Sequence, residues 1–569
     1  MAVPRNQENV VSTDVLIVGG SVAGLTAAIK TKEQRPDLDV LVVDKGGIGW
    51  AGQVPAGGGR LITLPPDGDV EGWVQWLVKN GEYLNDQDWS FAFAGSMYES
   101  LAEVATWGVP FIEAADGKID LEDPPSWKVP HKLTSFIPHR VMLSLKKAAR
   151  ARGVRMMDKV EVVDLLKDGE RVVGAVGFSI LTGEYEVFKA KATLLACGAA
   201  NYKNRKLFTM NAGEGVAAAY RAGAEQRNAE YGITRGYVAK DYEVWKRGAL
   251  MRGLVNNQGE YFFEKYFPNR EENYRIVNLA IVSEIRAGRG PVYLDVTQIP
   301  GMLDEVILSR QHKWTYQHGA FLNPERLLRE KGGIDLREQK IEWVPSLSAV
   351  MGSVKADLDC KTSLEGLWAA GAVMMVAAAS EGAIGPANLP AYAIPFCFVS
   401  ALRAARNIAK LAPDTPEPEV ADEQQEELRE RLFAPMARET GFEPYEAILK
   451  VQQAMVPIPY TFLKDGGRLQ EALGIIEEVK AEVLPGIKAA DPHELAKYHE
   501  AESMAVCAEL VLRTSLLRTE SRGLHIREDY PERDDANWLR WIIARRDGDH
   551  MALRTEPVPL ERYRFGPEG

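Results

Sequence analysis

Val15–Val18 is an unbroken apolar run, the pattern of a strand buried on both faces, and it leads straight into Gly19 and Gly20. An Ala-rich stretch at helical spacing follows. A second apolar run, Val40–Val43, then ends in Asp44. Strand, glycine turn, helix, strand and acid make the opening unit of a dinucleotide-binding fold. Gly19 allows the tight turn, while Gly20, Ser21 and Ala23 let backbone approach a pyrophosphate. Gly24 lets the helix lie close on the sheet. Ser21 stands where the second glycine of the usual pattern is expected. Asp44 is placed to accept hydrogen bonds from a ribose diol.

The same reading continues along the chain. Helices are expected around Trp73, Trp76 and Leu77, over Ser96–Gly108, and over Ser135–Arg152 with Val141, Met142, Leu145 and Ala148 facing inward. Strand-like runs fall at Val160–Leu165, Val172–Phe178, Tyr185–Phe188 and Thr193–Ala196. Two apolar runs close on small residues, one at Ala196 and Gly198, the other at Gly371. One glycine turn with two distant strand–glycine returns suits an extended FAD better than NAD. From about Gly232 to Pro345 aromatics and arginines increase and the nucleotide signals vanish, which marks an inserted domain. Residues 412–427 read as an acidic, proline-bearing linker into a helical tail. There Leu469, Leu473, Ile476, Val479 and Val483 recur at helical spacing, and Asp491-Pro492 caps a long helix through Leu517.

The expected fold is therefore α/β. It has a doubly wound, Rossmann-like FAD-binding domain of the glutathione reductase type (residues 1–231 and 346–412), an inserted α+β capping domain (232–345) and a C-terminal helical domain (413–569). Composition narrows the function. With 569 residues, 46% hydrophobic and 26% charged, the chain is of ordinary globular character, and its net charge of -12 argues against nonspecific nucleic-acid binding. Met1–Thr13 is polar, with no apolar core of a signal peptide. The longest apolar stretch, Ala369–Ala379, is too short to span a bilayer, so a cytoplasmic protein is expected. Cys197, Cys360, Cys397 and Cys507 are scattered. They form neither a disulfide framework nor an iron–sulfur ligand set, and no metal-ligand spacing stands out. Any iron–sulfur wiring must come from another subunit.

Several stretches carry a family resemblance: Asp14–Leu25, residues 174–179 and 187–192, Glu284–Tyr293, Thr362–Gly371, Phe433–Met436, Asp491–Leu495, and the long run Arg518–Pro531. On these the chain resembles the succinate dehydrogenase, fumarate reductase, L-aspartate oxidase and adenylylsulfate reductase flavoproteins, most closely the adenylylsulfate reductase alpha subunit. The resemblance implies FAD with its pyrophosphate over Gly19–Gly24 and its ribose on Asp44. Lys45, Gly46, Gly52, Gln53 and Val160 would stand nearby. The flavin would lie near Gly46–Gly58 and under Asn388, Ala391, Tyr392 and Ala393, where Pro390 reads as the first turn of a helix. Gly47–Ala51 contains no histidine where succinate dehydrogenases tether their flavin, so the cofactor is expected to be non-covalent. Glu520, Arg522 and Arg527 read as a structural ion-pair network.

Departures from the family bear on the substrate. Ala372 stands where an acid usually follows the Ala-Ala-Gly strand, and Leu347 and Ser348 where a histidine is expected. The dicarboxylate enzymes' Arg-Asp pair corresponds to Tyr274-Arg275, and their second substrate arginine to Asn388, which argues against succinate or fumarate. Gly58 or Gly59 replaces an asparagine of the adenylylsulfate reductases. Candidate substrate groups are Arg235 first, then Tyr274 and Arg275. His139 and Arg140 are a candidate proton shuttle and anion clamp. His131, Tyr202, Lys203, Arg205, Lys240, Tyr242, His312 and His318 are further possibilities. The leading expectation is the FAD subunit of an oxidoreductase, moving electrons between a small organic or sulfur-oxo substrate and a ferredoxin-like iron–sulfur partner. The alternatives are a stand-alone flavin dehydrogenase or oxidase, and a non-catalytic flavin electron-transfer module.

Overall fold

Strand β1 (Glu8–Val18) lies at the centre of a seven-stranded sheet. It runs parallel to β2 (Val40–Asp44), with Val15 opposite Val40, and on its other side parallel to β6 (Tyr185–Leu195), with Val15 opposite Ala192. β3 (Arg155–Asp158) lies outside β2. β5 (Arg171–Ser179) and β4 (Val160–Asp168) continue antiparallel beyond the first half of β6. The last residues of β6 pair instead with a later parallel strand, Leu367–Ala369. The structure is a computed structural model that describes residues 8–57, 59–124, 129–204, 211–240, 252–266, 274–299, 301, 314, 324–350, 352–384, 389 and 391–567.

β6 corrects one expectation. The runs Tyr185–Phe188 and Thr193–Ala196 belong to one strand, because Lys189 and Lys191 fall on alternate positions whose side chains reach outward while Ala190 and Ala192 are buried. Lys191 reaches Asp14 and Glu417.

Helix α1 (Val22–Gln34) follows the glycine turn and packs between two later helices, α2 (Pro138–Ala151) and α3 (Ala393–Leu411). α2 starts at Pro138 rather than at Ser135. Ile137 is extended ahead of the proline, and residues 132–135 pair as a strand with Arg60–Thr63. α3 starts at Ala393 with Tyr392 before it. Ala391 has a left-handed φ of 65°, which ends any helical path there, so the first-turn proline is Pro395; Pro390 lies outside the described residues.

Among the described residues the inserted segment has its own four-stranded sheet. Ile233–Ala239 pairs antiparallel with Ile341–Val350, and the short strands Tyr293–Leu294 and Leu254–Val255 follow. Phe262, Phe263, Ile281, Leu294 and Trp343 form a core separate from the main one. In the tail, α4 (Asp422–Phe433) begins inside the expected linker. Asp422 and Glu423 in its first turn favour the positive end of the helix. α5 (Pro444–Met455), α6 (Gly466–Glu478) and the long, largely buried α7 (Pro492–Leu517) pack together. Asp491 caps α7 as expected, its carboxylate accepting from the Glu494 N–H at 2.8 Å. The hairpin of Arg540–Asp547 and His550–Pro557 ties the tail to Gln226–Arg227. Among the described residues no helix is long and apolar enough to cross a membrane.

Candidate functional site

The turn between β1 and α1 is a cradle for a backbone-bound anion. Gly19 has a φ of 114°, and a Cβ there would sit 2.4 Å from the Ala196 carbonyl oxygen. A Cβ on Gly24 would sit 1.8 Å from the Gly19 oxygen, so only glycine lets α1 start this close to the turn. Ser21 makes no side-chain cap and the first turn holds no acidic residue, which leaves the helix N-terminus to an anionic ligand. Asp44, at the end of β2, accepts from the Gly20 and Gly46 N–H groups at 2.6 Å each. Burial pushes its carboxyl above the usual range, against the pull of those two donors.

The glycine-rich segment after Asp44 folds over this turn. A Cβ on Gly20 would meet Ile48 at 2.4 Å, and one on Gly52 would meet the Ser21 hydroxyl at 2.5 Å. Gln53 precedes the single helical turn Val54–Ala56. Val160 opens β4 beside the segment, where the Lys159 N–H donates to the Gly46 carbonyl at 3.2 Å. The Lys45 ammonium is taken up by Glu214 and Glu500, and Glu500 also holds Lys203. What Lys45 offers a ligand is therefore its backbone. Beside this group Glu161 is fully buried with neither oxygen partnered among the described residues, and burial holds its carboxyl well above the usual range.

The two expected strand returns converge on the same cradle. The Ala196 N–H donates to the Val18 carbonyl at 2.8 Å, and the Ala370 N–H to Leu195 at 2.9 Å. The Gly371 N–H donates to the Ser400 hydroxyl on α3, and a Cβ on Gly371 would sit 2.9 Å from Ala23. Gly198 also takes a left-handed turn. Tyr392 is buried, its hydroxyl 2.5 Å from Ser380 Oγ and its ring centred 4.5 Å from Phe93. Ala391 accepts from the Ile62 N–H. α3, like α1, starts without a side-chain cap or a first-turn acid.

The sequence reading missed Glu381. Among the described residues its side chain is fully buried with neither carboxylate oxygen in a well-formed hydrogen bond, and burial pushes its pKa well above the carboxylate range against the pull of the Leu389 N–H. A lone acid ending the apolar run from Ala369 was the available signal.

The other candidates are scattered. His139 stacks on Trp50 with ring centroids 6.5 Å apart. Its Nδ1 is buried without a partner among the described residues, and desolvation and then Arg140 lower its pKa. Arg140 itself is exposed. His131 is buried edge-on to Trp76 and is lowered to about 4 by burial. Tyr202 is buried, and Lys240 pairs with Glu342. Arg235 lies in the sheet of the inserted segment opposite Leu347, beside a bulge, and Tyr274 and Arg275 open the helix Tyr274–Glu284; the side chains of all three lie outside the described part. Arg205, Tyr242, His312, His318 and Asn388 lie outside the described residues. Among the described residues no group of His, Cys, Asp and Glu is arranged to hold a metal ion, and the four cysteines are free.

The FAD binding domain family matches residues 14–385, well over half of the chain. The chain belongs to this family. The Fumarate reductase flavoprotein C-term family matches residues 451–569. Among curated relatives, a fumarate reductase (CoM/CoB) subunit from Methanothermobacter marburgensis is 29% identical, covering 94% of this chain and 97% of its own. The fumarate reductase flavoprotein subunit of Mycobacterium tuberculosis is 27% identical, covering 97% of this chain and 98% of its own. A mutant E. coli quinol fumarate reductase superposes with a TM-score of 0.85 at 21% identity over 99% of both chains. Adenylylsulfate reductase from Archaeoglobus fulgidus gives 0.80 at 22% identity over 98% of both, a likeness that carries the fold alone.

This member of the fumarate reductase and succinate dehydrogenase flavoprotein family is an FAD-dependent oxidoreductase. The cradle fits the cofactor. Backbone N–H groups and uncapped helix starts suit its phosphates and polar ring edge, Asp44 suits a ribose, and the glycine positions leave no room for side chains.

Proposed function

We propose that this chain is the flavoprotein subunit of a heteromeric oxidoreductase, exchanging electrons between a small organic or sulfur-oxo substrate and an iron–sulfur protein. The supporting observation is the end-to-end match to proteins named as subunits, 94–97% of this chain against 97–98% of theirs, together with a chain whose four cysteines are scattered. FAD, when bound, accepts or donates two electrons. The residues do the rest. The α1 start and Asp44 would fix its pyrophosphate and ribose, and the α3 start would favour negative charge on the ring edge. The capping sheet carrying Arg235 would cover the site and exclude water, with Arg235 binding an anionic substrate, and Tyr274 and Arg275 as candidate proton donors.

The chain departs from the dicarboxylate enzymes at Tyr274, Arg275 and Asn388, which favours another substrate for this chain even though its relatives are named fumarate reductases. Anaerobic purification followed by an absorption spectrum and mass spectrometry tests the reading. Acid should release intact FAD, and a cysteine-rich polypeptide should accompany the chain. A flavoprotein fully active alone, or one reoxidised at once by air, overturns the partner.

A further inference from the structure

Five ionisable side chains gather behind the loop that follows Asp44, and the chemistry assigned above uses none of these side chains. Lys45 reaches inward from the end of β2, and Lys203 from the segment after the Ala196–Gly198 return. Glu214 comes from the start of the helix Glu214–Arg221, Glu500 from α7 and Glu161 from β4. Glu214 accepts from Lys45 and, at 3.0 Å, from the Ala212 N–H. Glu500 accepts from Lys45 at 2.9 Å and from Lys203. Two ammoniums are thus matched by two carboxylates. Glu161, 1% exposed, is the third acid, and among the described residues neither of its oxygens has a partner.

The pairing decides which acid carries a proton. An ionised Glu161 would leave the cluster with an unmatched negative charge away from water, whereas a protonated one leaves it neutral. Desolvation is the largest influence and favours the neutral acid. Lys45 opposes it, Glu500 and Glu214 add to it, and Lys203 opposes. The cluster is tied to the cradle on both sides of Lys45. Asp44 before it accepts from the Gly20 N–H, and the Gly46 carbonyl after it accepts from the N–H of Lys159, two residues ahead of Glu161. A shift of the Lys45 ammonium is therefore felt in the turn beneath the cofactor. An ionised Glu161 competes for that ammonium and adds negative charge behind an anion-binding turn, and both effects weaken the hold on a pyrophosphate.

We propose that Glu161 is a positioning residue for FAD: kept as a neutral carboxylic acid, it lets Glu214 and Glu500 fix Lys45, and its ionisation loosens the adenosine half of the cofactor. The proposal rests on the assignment of the Asp44–Gly46 turn to that half. Linkage gives the sign. A bound anion strengthens the hold of Glu161 on its proton, so FAD is held more weakly as pH rises through the titration of this group, the proton leaving to solvent.

The experiment follows FAD release from the full-length holoprotein, by the rise in flavin fluorescence after dilution into flavin-free buffer at a series of pH values. Wild-type release should quicken about tenfold between about pH 6 and about pH 9, the equivalent of one pKa unit of linkage. Glu161→Gln has the shape of the neutral acid, and should release FAD slowly and without that step. Its infrared spectrum should also lack part of the protonated-carboxylic-acid stretch that the wild type shows at neutral pH. A merely structural Glu161 would change the rate alike at every pH and leave the slope. Should Glu161→Gln fail to fold, Glu500→Gln reads the same balance from the other side. With one paired carboxylate gone, Glu161 ionises to replace it, so the same part of the stretch and the pH step both disappear. A step of equal size in the wild type and the variant, a wild-type rate flat over this range, or an unchanged carboxylic-acid stretch overturns the proposal. Asp44→Ala separates the two readings. If it releases FAD faster while the Glu161 and Glu500 variants follow the wild type, the cradle stands and the proposal falls. If it holds FAD as the wild type does, the assignment of the turn falls, and the proposal with it.

Discussion

The two ends of the cradle are built from very different amounts of chain. The pyrophosphate end lies almost wholly within Val15–Asp44, where two neighbouring strands, one turn and one helix supply it. The end around Glu381 is assembled from segments hundreds of residues apart. The Ser380 carbonyl accepts from Asn85 at 2.9 Å and from Ser90 at 2.6 Å, and the Ala383 N–H donates to Gly81. The tail closes the assembly: the Leu524 N–H donates to the Ala383 carbonyl at 3.0 Å, and Arg522 donates to the Glu82 carbonyl at 2.5 Å. Behind that contact Arg518 bonds Glu230 and Glu520, and Arg522 bonds Glu520, all without solvent exposure. The first end depends on the absence of side chains. The second depends on a buried ion network that holds the loops, the structural role expected of Glu520 and Arg522. Arg527 joins through the Ser515 carbonyl and Asp529.

The largest effect should come from filling the local end. Gly24→Val places branched carbon against the Gly19 carbonyl, where a Cβ alone would be 1.8 Å away, so the turn and the helix cannot both keep their places. The variant should emerge colourless and fail to take up FAD, read by absorbance after desalting. Gly474→Ala in α6, where a Cβ meets nothing within 4 Å, is the matched control, and should keep its colour and gain up to about 1 kcal/mol in helix stability.

Breaking the brace of the other end comes next. Glu520→Ala leaves the Arg518 and Arg522 guanidiniums buried without their shared carboxylate, a change worth about 3–5 kcal/mol in urea unfolding. Hydrogen exchange should speed up at residues 380–384 and 81–86 before it changes at 16–25. Equal loosening at both ends would show that the network supports the whole domain and that the two ends are not separate constructions.

The same contrast explains what could be read from the sequence. Gly19, Gly24 and Asp44 announce themselves because a local backbone turn demands particular residue types at fixed spacing. Asp491-Pro492 does so for a helix start, and the strand–glycine returns at Gly198 and Gly371 behave alike. The start of α3 was misread because a left-handed alanine, Ala391, ends the helical path where a proline rule predicts its beginning. Glu381 left only a faint trace, since its strangeness lies in what surrounds it in space. The ion network was legible as charge pattern, but its task of holding residues 81–86 and 380–384 was not, because those partners are hundreds of positions away.

The smallest predicted effect asks whether Glu381 belongs to the brace or to the cofactor. Its folded pKa is raised by burial, so between the unfolded value, near 4.5, and the higher folded one the native state holds a proton that the unfolded chain has released. Stability from this group is therefore complete below about pH 4.5 and declines as pH rises toward the folded value. Glu381→Leu removes both that slope and a buried acid faced, among the described residues, by no donor but the Leu389 N–H. The apo variant should be more stable than wild type by about 1–3 kcal/mol at neutral pH, with the advantage shrinking as the solution is acidified toward pH 4.5. Tyr392, whose hydroxyl stays on Ser380, serves as the reporter that the loop is intact. A variant that gains stability and keeps its FAD places Glu381 among the packing of the loop. One that gains stability but holds FAD more weakly shows a carboxylic acid kept protonated for the cofactor. Loss of stability at every pH would mean that the acid is braced after all, and the two ends would then differ in length of chain but not in kind.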